Sequence, residues 1–222
     1  MELNFVQTIA IYALPVIFAI TLHEAAHGYV ARHFGDTTAY RLGRISLNPL
    51  RHIDPFGTIV LPLLTLAIMK LSGVGVLFGW AKPVPVSFGH LRNPKRDMFW
   101  VAIAGPFANL VMALGWGVIL KLAEDAIPLN NFSVPMAYMA KAGIEINVVL
   151  MVLNLLPILP LDGGRIAVSL LPDRLALRYA RLEPFGFPIL LLLIFLPPHV
   201  LGAIMIPAVQ VSIDLIGAIF HL

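Results

Sequence analysis

His23, Glu24 and His27 are the residues whose types and spacing point most directly to chemistry, in the run His-Glu-Ala-Ala-His. On a helix, positions i and i+4 share a face one turn apart. Two imidazoles so placed can grip one zinc ion, and the carboxylate between them can act as general base on a zinc-bound water. The surrounding stretch, TIAIYALPVIFAITLHEAAHGYVARHF, is apolar enough to sit in a bilayer. Two histidines and a glutamate cost several kcal/mol in hydrocarbon unless paired, metal-bound or facing a polar cavity, so their presence there is a functional signal. The competing interpretation is a soluble-type core helix whose polar groups are satisfied locally.

The composition selects between these. The 222 residues are 59% hydrophobic and only 12% charged, with a mean hydropathy of +0.89. About a quarter of a soluble domain is charged, so a polytopic membrane protein is expected. That length holds about five or six spans of about 20 residues with short loops, and no sizeable soluble domain. The net charge of +3 is small and the basic residues flank apolar runs, which argues against nucleic-acid binding. There is no cysteine, so a metal site must use histidine and carboxylate. The N-terminus lacks a basic leader, and the first apolar run carries the motif, so that run is expected to be retained.

Apolar spans are expected at 5–33, 98–121 and 138–156, with very apolar runs at 186–196 and 199–220. Residues 34–56 are polar and turn-rich; His33 just before them and His52 within them are expected to be surface or interfacial residues. The run 57–72 is short for a crossing. After it, Trp80-Ala81-Lys82-Pro83-Val84-Pro85-Val86 alternates and carries two prolines, as an edge strand or an interfacial loop would. An edge strand beside a protease site could pair with an unwound substrate. Asn109, in Gly105-Pro106-Phe107-Ala108-Asn109, is a buried amide that needs partners. Asp162 follows Pro157 and Pro160, where an apolar helix breaks; it could be a carboxylate ligand or a helix cap. Residues 165–183 read as an amphipathic surface helix.

If Asp162 is the third ligand, it must reach the depth of His23 and His27. A simple crossing at 57–72 would leave it on the order of 20 Å away across the bilayer. The expected topology therefore has 57–90 enter and leave on one side, as a short helix and a returning extended stretch. The charges agree: this arrangement puts 12 of the 15 basic residues on one side, all but Lys70, Lys121 and Lys141. That side should be cytoplasmic by the positive-inside rule, with the zinc near it.

Taken together, HEAAH, GPFAN, FGWAKPVPV and NLLPILPLDGG resemble the site-2 protease family of intramembrane zinc metalloproteases, over about residues 15–170. The resemblance implies that His23, His27 and Asp162 ligate one zinc ion per chain and that Glu24 is general base and acid. It implies that Asn154 and Asn109 hold the substrate backbone or the tetrahedral oxyanion. Trp80, Lys82, Pro83, Val84 and Pro85 are the expected substrate clamp. The expected fold is an all-α polytopic membrane protein of five to six transmembrane helices around the zinc site, with a re-entrant helix and β-strand element. The whole chain, 1–222, is expected to form one metalloprotease domain, with a core at about 5–170 and C-terminal helices at about 184–222. It resembles short members of the family, without a PDZ or CBS domain. Single-span membrane proteins are the implied substrates, in the plasma membrane, and the sequence leaves a homo-oligomer open. The runner-up is a membrane metal-binding or transport protein using the same His/Asp site, which would not need Glu24.

Overall fold

A computed structural model describes residues 5–60, 64, 81–126, 132–195 and 200–222. These residues are helical and irregular, with no strand among them. The long elements are α1 (Phe5–His33), α3 (Pro94–Glu124), α4 (Ser133–Asn154) and α8 (Val200–Phe220). Shorter helices are α2 (Thr38–Arg41), α5 (Asp162–Leu170), α6 (Asp173–Ala180) and α7 (Glu183–Phe195). Four of the described helices are long and apolar enough to cross a membrane, and the protein is a membrane protein. The shorter apolar helix within α7 adds no full-length crossing by the same measure.

The centre of the bundle is α1, α3 and α4, with α5 against α3 and α8 against α4. Lipid tails are as apolar as leucine, so helix association here depends on close fit and on interhelical hydrogen bonds. The sequence supplies the fit through two ridges with a four-residue step. On α1 the buried ridge is Ile11, Pro15, Ala19, His23, His27 and Ala31. On α3 it is Asp97, Val101, Gly105, Asn109, Ala113 and Gly117. Such i±4 rows are the ridges by which helices interdigitate. His27 meets Val101 and His23 meets Asn109, so the two ridges run antiparallel.

Gly35, at φ +105°, ends α1. Its N–H donates to the Arg32 carbonyl at 3.1 Å and the Asp36 N–H to that of Ala31 at 2.9 Å, a Schellman cap. At the other boundary of the site, α5 starts against the turn 155–159. A Cβ at Gly164 would lie 2.5 Å from the Leu159 nitrogen, and one at Gly163 would meet the Leu155 and Leu156 carbonyls. Both glycines after Asp162 are thus required by close backbone approach.

Several expectations need adjustment. Residues 81–87 carry no regular secondary structure, where a strand was expected. Pro83 and Pro85 have no N–H for a ladder, and the segment is held by side chains and turns instead. Lys82 N–H donates to the His52 carbonyl at 2.9 Å, and Arg44 Nη2 to the Lys82 carbonyl at 2.8 Å. Most of the expected re-entrant stretch, residues 61–63 and 65–80 with Trp80, lies outside the described residues. The single helix expected over 165–183 is two, because Pro172 interrupts it between α5 and α6. His52 is buried and donates through Nε2 to the Ser46 carbonyl at 2.8 Å, a loop-building residue in place of a surface one.

Candidate metal centre

The i, i+4 spacing on α1 presents His23 and His27 to the same interior, and the start of α5 brings Asp162 to meet them. His23 Nε2 and His27 Nε2 are 3.1 Å apart. Each is 3.2 Å from Asp162 Oδ2. Ligand bonds of about 2.0 Å in tetrahedral geometry place neighbouring donor atoms about 3.3 Å apart, so the triangle has the dimensions of three corners of a zinc site. Among the described residues this is the one group of three or more His, Cys, Asp or Glu side chains able to hold a metal ion. All three side chains are buried.

The hydrogen bonds test whether the triangle suits a cation. His23 Nδ1–H donates to Asn109 Oδ1 at 2.5 Å, and His27 Nδ1–H donates to the Val101 carbonyl at 2.7 Å. A neutral imidazole has one proton. With both protons on Nδ1, each Nε2 turns a lone pair toward the other and toward a carboxylate oxygen that has no hydrogen-bond donor. Three electron-rich atoms at that distance repel one another unless a cation sits between them. The donor set, two imidazoles and one carboxylate, suits zinc, and three protein ligands leave an open position, as in catalytic sites.

Gly105 makes room for this arrangement. A Cβ there would lie 2.6 Å from two atoms of the His23 ring and would also strike His27 Nε2. GPFAN therefore serves the site twice, with a gap for the rings and, one turn on, an amide for His23.

Glu24 is half-buried on the same turn of α1. Its Oε2 accepts a hydrogen bond of 2.6 Å from the Val84 N–H. Val84 is buried, whereas Lys82 and Pro83 are exposed and Pro85 is half-buried. The segment 82–87 thus lies against Glu24. It is also tied to the end of α1, where Asp36 Oδ2 accepts from Ser87 N–H at 2.6 Å.

The two asparagines named from the sequence occupy different surroundings. Asn109 is fully buried; besides accepting from His23, its Nδ2 donates to Asn147 Oδ1 at 3.0 Å and more weakly to the Ala19 carbonyl at 3.4 Å. Asn154 is the last residue of α4, half-buried, with Nδ2 donating to the Leu150 carbonyl at 3.0 Å. Sequence reasoning passed over Asn147 and the Val101 carbonyl. A lone amide in an apolar helix was the available signal for Asn147; a backbone carbonyl leaves none.

A triangle that could hold a metal ion, with an adjacent glutamate and set in a bundle of membrane-length helices, is the type of site a membrane metalloprotease requires. The chain is 38% identical over 186 residues to YwhC of Bacillus subtilis (strain 168), covering 83% of this chain and 80% of the relative. It is 31% identical over 199 residues to Rip2 of Mycolicibacterium smegmatis, covering 88% and 70%. Both are named as candidate zinc metalloproteases. A Methanocaldococcus jannaschii protein named zinc metalloprotease MJ0392 is 23% identical over 74% of this chain and 35% of its own length. No family model matches, and no solved structure matches significantly. The chain belongs to the site-2 protease family of zinc metalloproteases.

Proposed function

We propose that this protein hydrolyses peptide bonds within or near the transmembrane segments of single-span membrane proteins, as one membrane-embedded domain over residues 1–222. The observation that carries the proposal is the triangle of His23 Nε2, His27 Nε2 and Asp162 Oδ2, with Glu24 beside it on the same turn. These three residues would hold one zinc ion. When bound, zinc supplies Lewis-acid chemistry, acidifying water toward a pKa of about 7 and polarising a carbonyl oxygen.

The protein's own groups do the rest. Glu24 takes the proton from the attacking water and returns it to the departing nitrogen. His23 and His27 keep their Nε2 atoms bare because their Nδ1 protons are held. Asn154 is assigned to the substrate backbone or the oxyanion, and Asn109 stands behind His23. A substrate helix must unwind before cleavage, because its carbonyls are otherwise engaged. Lys82, Pro83, Val84 and Pro85 lie on the segment against Glu24 and are assigned, with Trp80, to contact the unwound stretch.

The finer topology belongs to the same proposal. In this reading residues 57–90, most of them outside the described residues, form a re-entrant element that enters and leaves the bilayer on one side, and five to six transmembrane helices surround the site. The His23–His27–Asp162 triangle would lie near the cytoplasmic face of the plasma membrane, where water can reach it. The clustering of basic residues on the loops beside the site supports this orientation.

The test is metal-analysed protein incubated with a model single-span substrate. The wild type should cleave it. Glu24→Gln should keep its zinc and lose about 10²–10⁴-fold in rate, the usual contribution of a general base. Full cleavage by Glu24→Gln would remove that residue from the mechanism. Metal flux without cleavage would favour the transport alternative.

A further inference from the structure

We infer that Asn147 is a positioning residue for the metal site, fixing the proton of His23 from two side chains away. The inference rests on the metalloprotease reading and adds a residue to it. The chain of hydrogen bonds begins at a group that cannot change its role. The Gly143 carbonyl can only accept, and Asn147 Nδ2 donates to it at 2.8 Å. Asn147 must therefore turn Oδ1 the other way, where it meets Asn109 Nδ2 at 3.0 Å. Asn109, so oriented, has only Oδ1 left to offer His23 Nδ1, at 2.5 Å. An oxygen there demands a proton on Nδ1 and leaves Nε2 bare toward Asp162. The tautomer of a ligand on α1 is thus written by a backbone carbonyl on α4.

Both amides are fully buried, so no solvent competes for these bonds. His27 reaches the same result in one step, since its Nδ1 meets the Val101 carbonyl directly. His23 Nδ1 instead meets the Asn109 side chain and depends on the relay. Without Asn147, only the longer 3.4 Å bond to the Ala19 carbonyl would hold Asn109 against a half-turn that presents Nδ2 to His23. His23 would then carry its proton on Nε2, facing the position where a metal ion must bind.

The probe is zinc itself, by competition with a chelator on the full-length membrane protein. Asn147→Leu should weaken zinc binding by about 10- to 100-fold, the range for outer partners of metal ligands. Asn109→Asp combined with Asn147→Leu should recover most of that loss. A carboxylate at 109 accepts from Nδ1 in either orientation and needs no relay. A purely structural role for Asn147 would not be repaired by a change at 109. If Asn147→Leu fails to fold, Asn147→Ser carries the same prediction, because its hydroxyl can bond back to Gly143 but stops short of Asn109. Unchanged zinc affinity in the position-147 variants, or no recovery in the double variant, would overturn the inference while leaving the metalloprotease reading intact. A wild-type chain that binds no zinc would overturn both.

Discussion

The two ends of the helical bundle are held together by different means. At one end, α1, α3, α4 and α5 meet through buried polar groups: His23, His27, Asn109, Asn147 and Asp162. At the other, α3, α4 and α8 meet through Ala113, Leu120, Ala140, Ile144, Val148 and Ile216, with Trp116 and Phe220 packed against them. In the apolar half each contact is small and many residues share the load, so a substitution is felt locally. In the polar half each group has few partners and a fixed direction. One lost bond there leaves another group unpaired, which costs more than the bond contributed. The ridge on α3 runs through both halves, with Asn109 in one and Ala113 in the other, so chemistry and packing draw on the same helix.

Removing a corner of the triangle should give the largest effect. Asp162→Ala should lower zinc affinity by more than the about 10- to 100-fold of an outer-shell change and abolish cleavage. Metal analysis after dialysis reads this, and full zinc retention would exclude Asp162 as a ligand. Next in size is a contrast between two glycines of α3. Gly105→Ala drives a methyl into both imidazoles, whereas a Cβ at Gly115 meets nothing within 4 Å. The first should lose zinc and activity. The second should keep both and gain up to about 1 kcal/mol in thermal or denaturant stability from the better helix former.

In the apolar half, Val148→Ala should cost about 1–2 kcal/mol through the cavity it leaves while zinc affinity stays constant. A change in zinc affinity there would show that the two halves are coupled. The smallest effect is expected at Asp36. Burial opposes its charge, but hydrogen bonds from Thr38 and from the Ser87 N–H outweigh this and hold its carboxyl below the usual range. Its folded-state pKa is depressed, so its stabilisation is present above the ordinary carboxylate value of about 3.9 and fades as pH falls through the folded value. Hydrogen exchange at the Ser87 amide should stay slow from neutral pH down to about 4 and speed up below it. Asp36→Asn should speed it already at neutral pH.

The sequence made some of this legible and hid the rest for physical reasons. Motif spacing carries local geometry, so His23 and His27 could be read as one helical face with Glu24 on the same turn. The breaks around Pro157 and Pro160 marked Asp162, and the need for a third ligand linked it to the histidines. The long apolar helices emerged within a few residues of their expected limits, since periodic apolar runs fix helix existence better than its ends. Of the edge strand and the loop left open for 80–86, the described residues 81–87 take the irregular form, because two prolines withdraw the donors a ladder needs. The bond from Val84 to Glu24 joins positions 60 residues apart and uses a backbone N–H, which leaves no trace in residue type. Asn109 was recognisable as an amide in need of partners, but not as the partner of His23, nor Gly105 as the gap for both rings. The four-residue step of small and polar residues on both helices held that information.

The metal triangle joins segments more than 130 residues apart in the chain. An ion seated there would act as a reversible clasp that exists only when α1 and α5 have both docked. Free metal concentration then becomes a thermodynamic variable of the fold, adding about 2.7 kcal/mol at a hundred times the dissociation constant. The same side chains assigned to the chemistry would also report that the bundle has been assembled correctly.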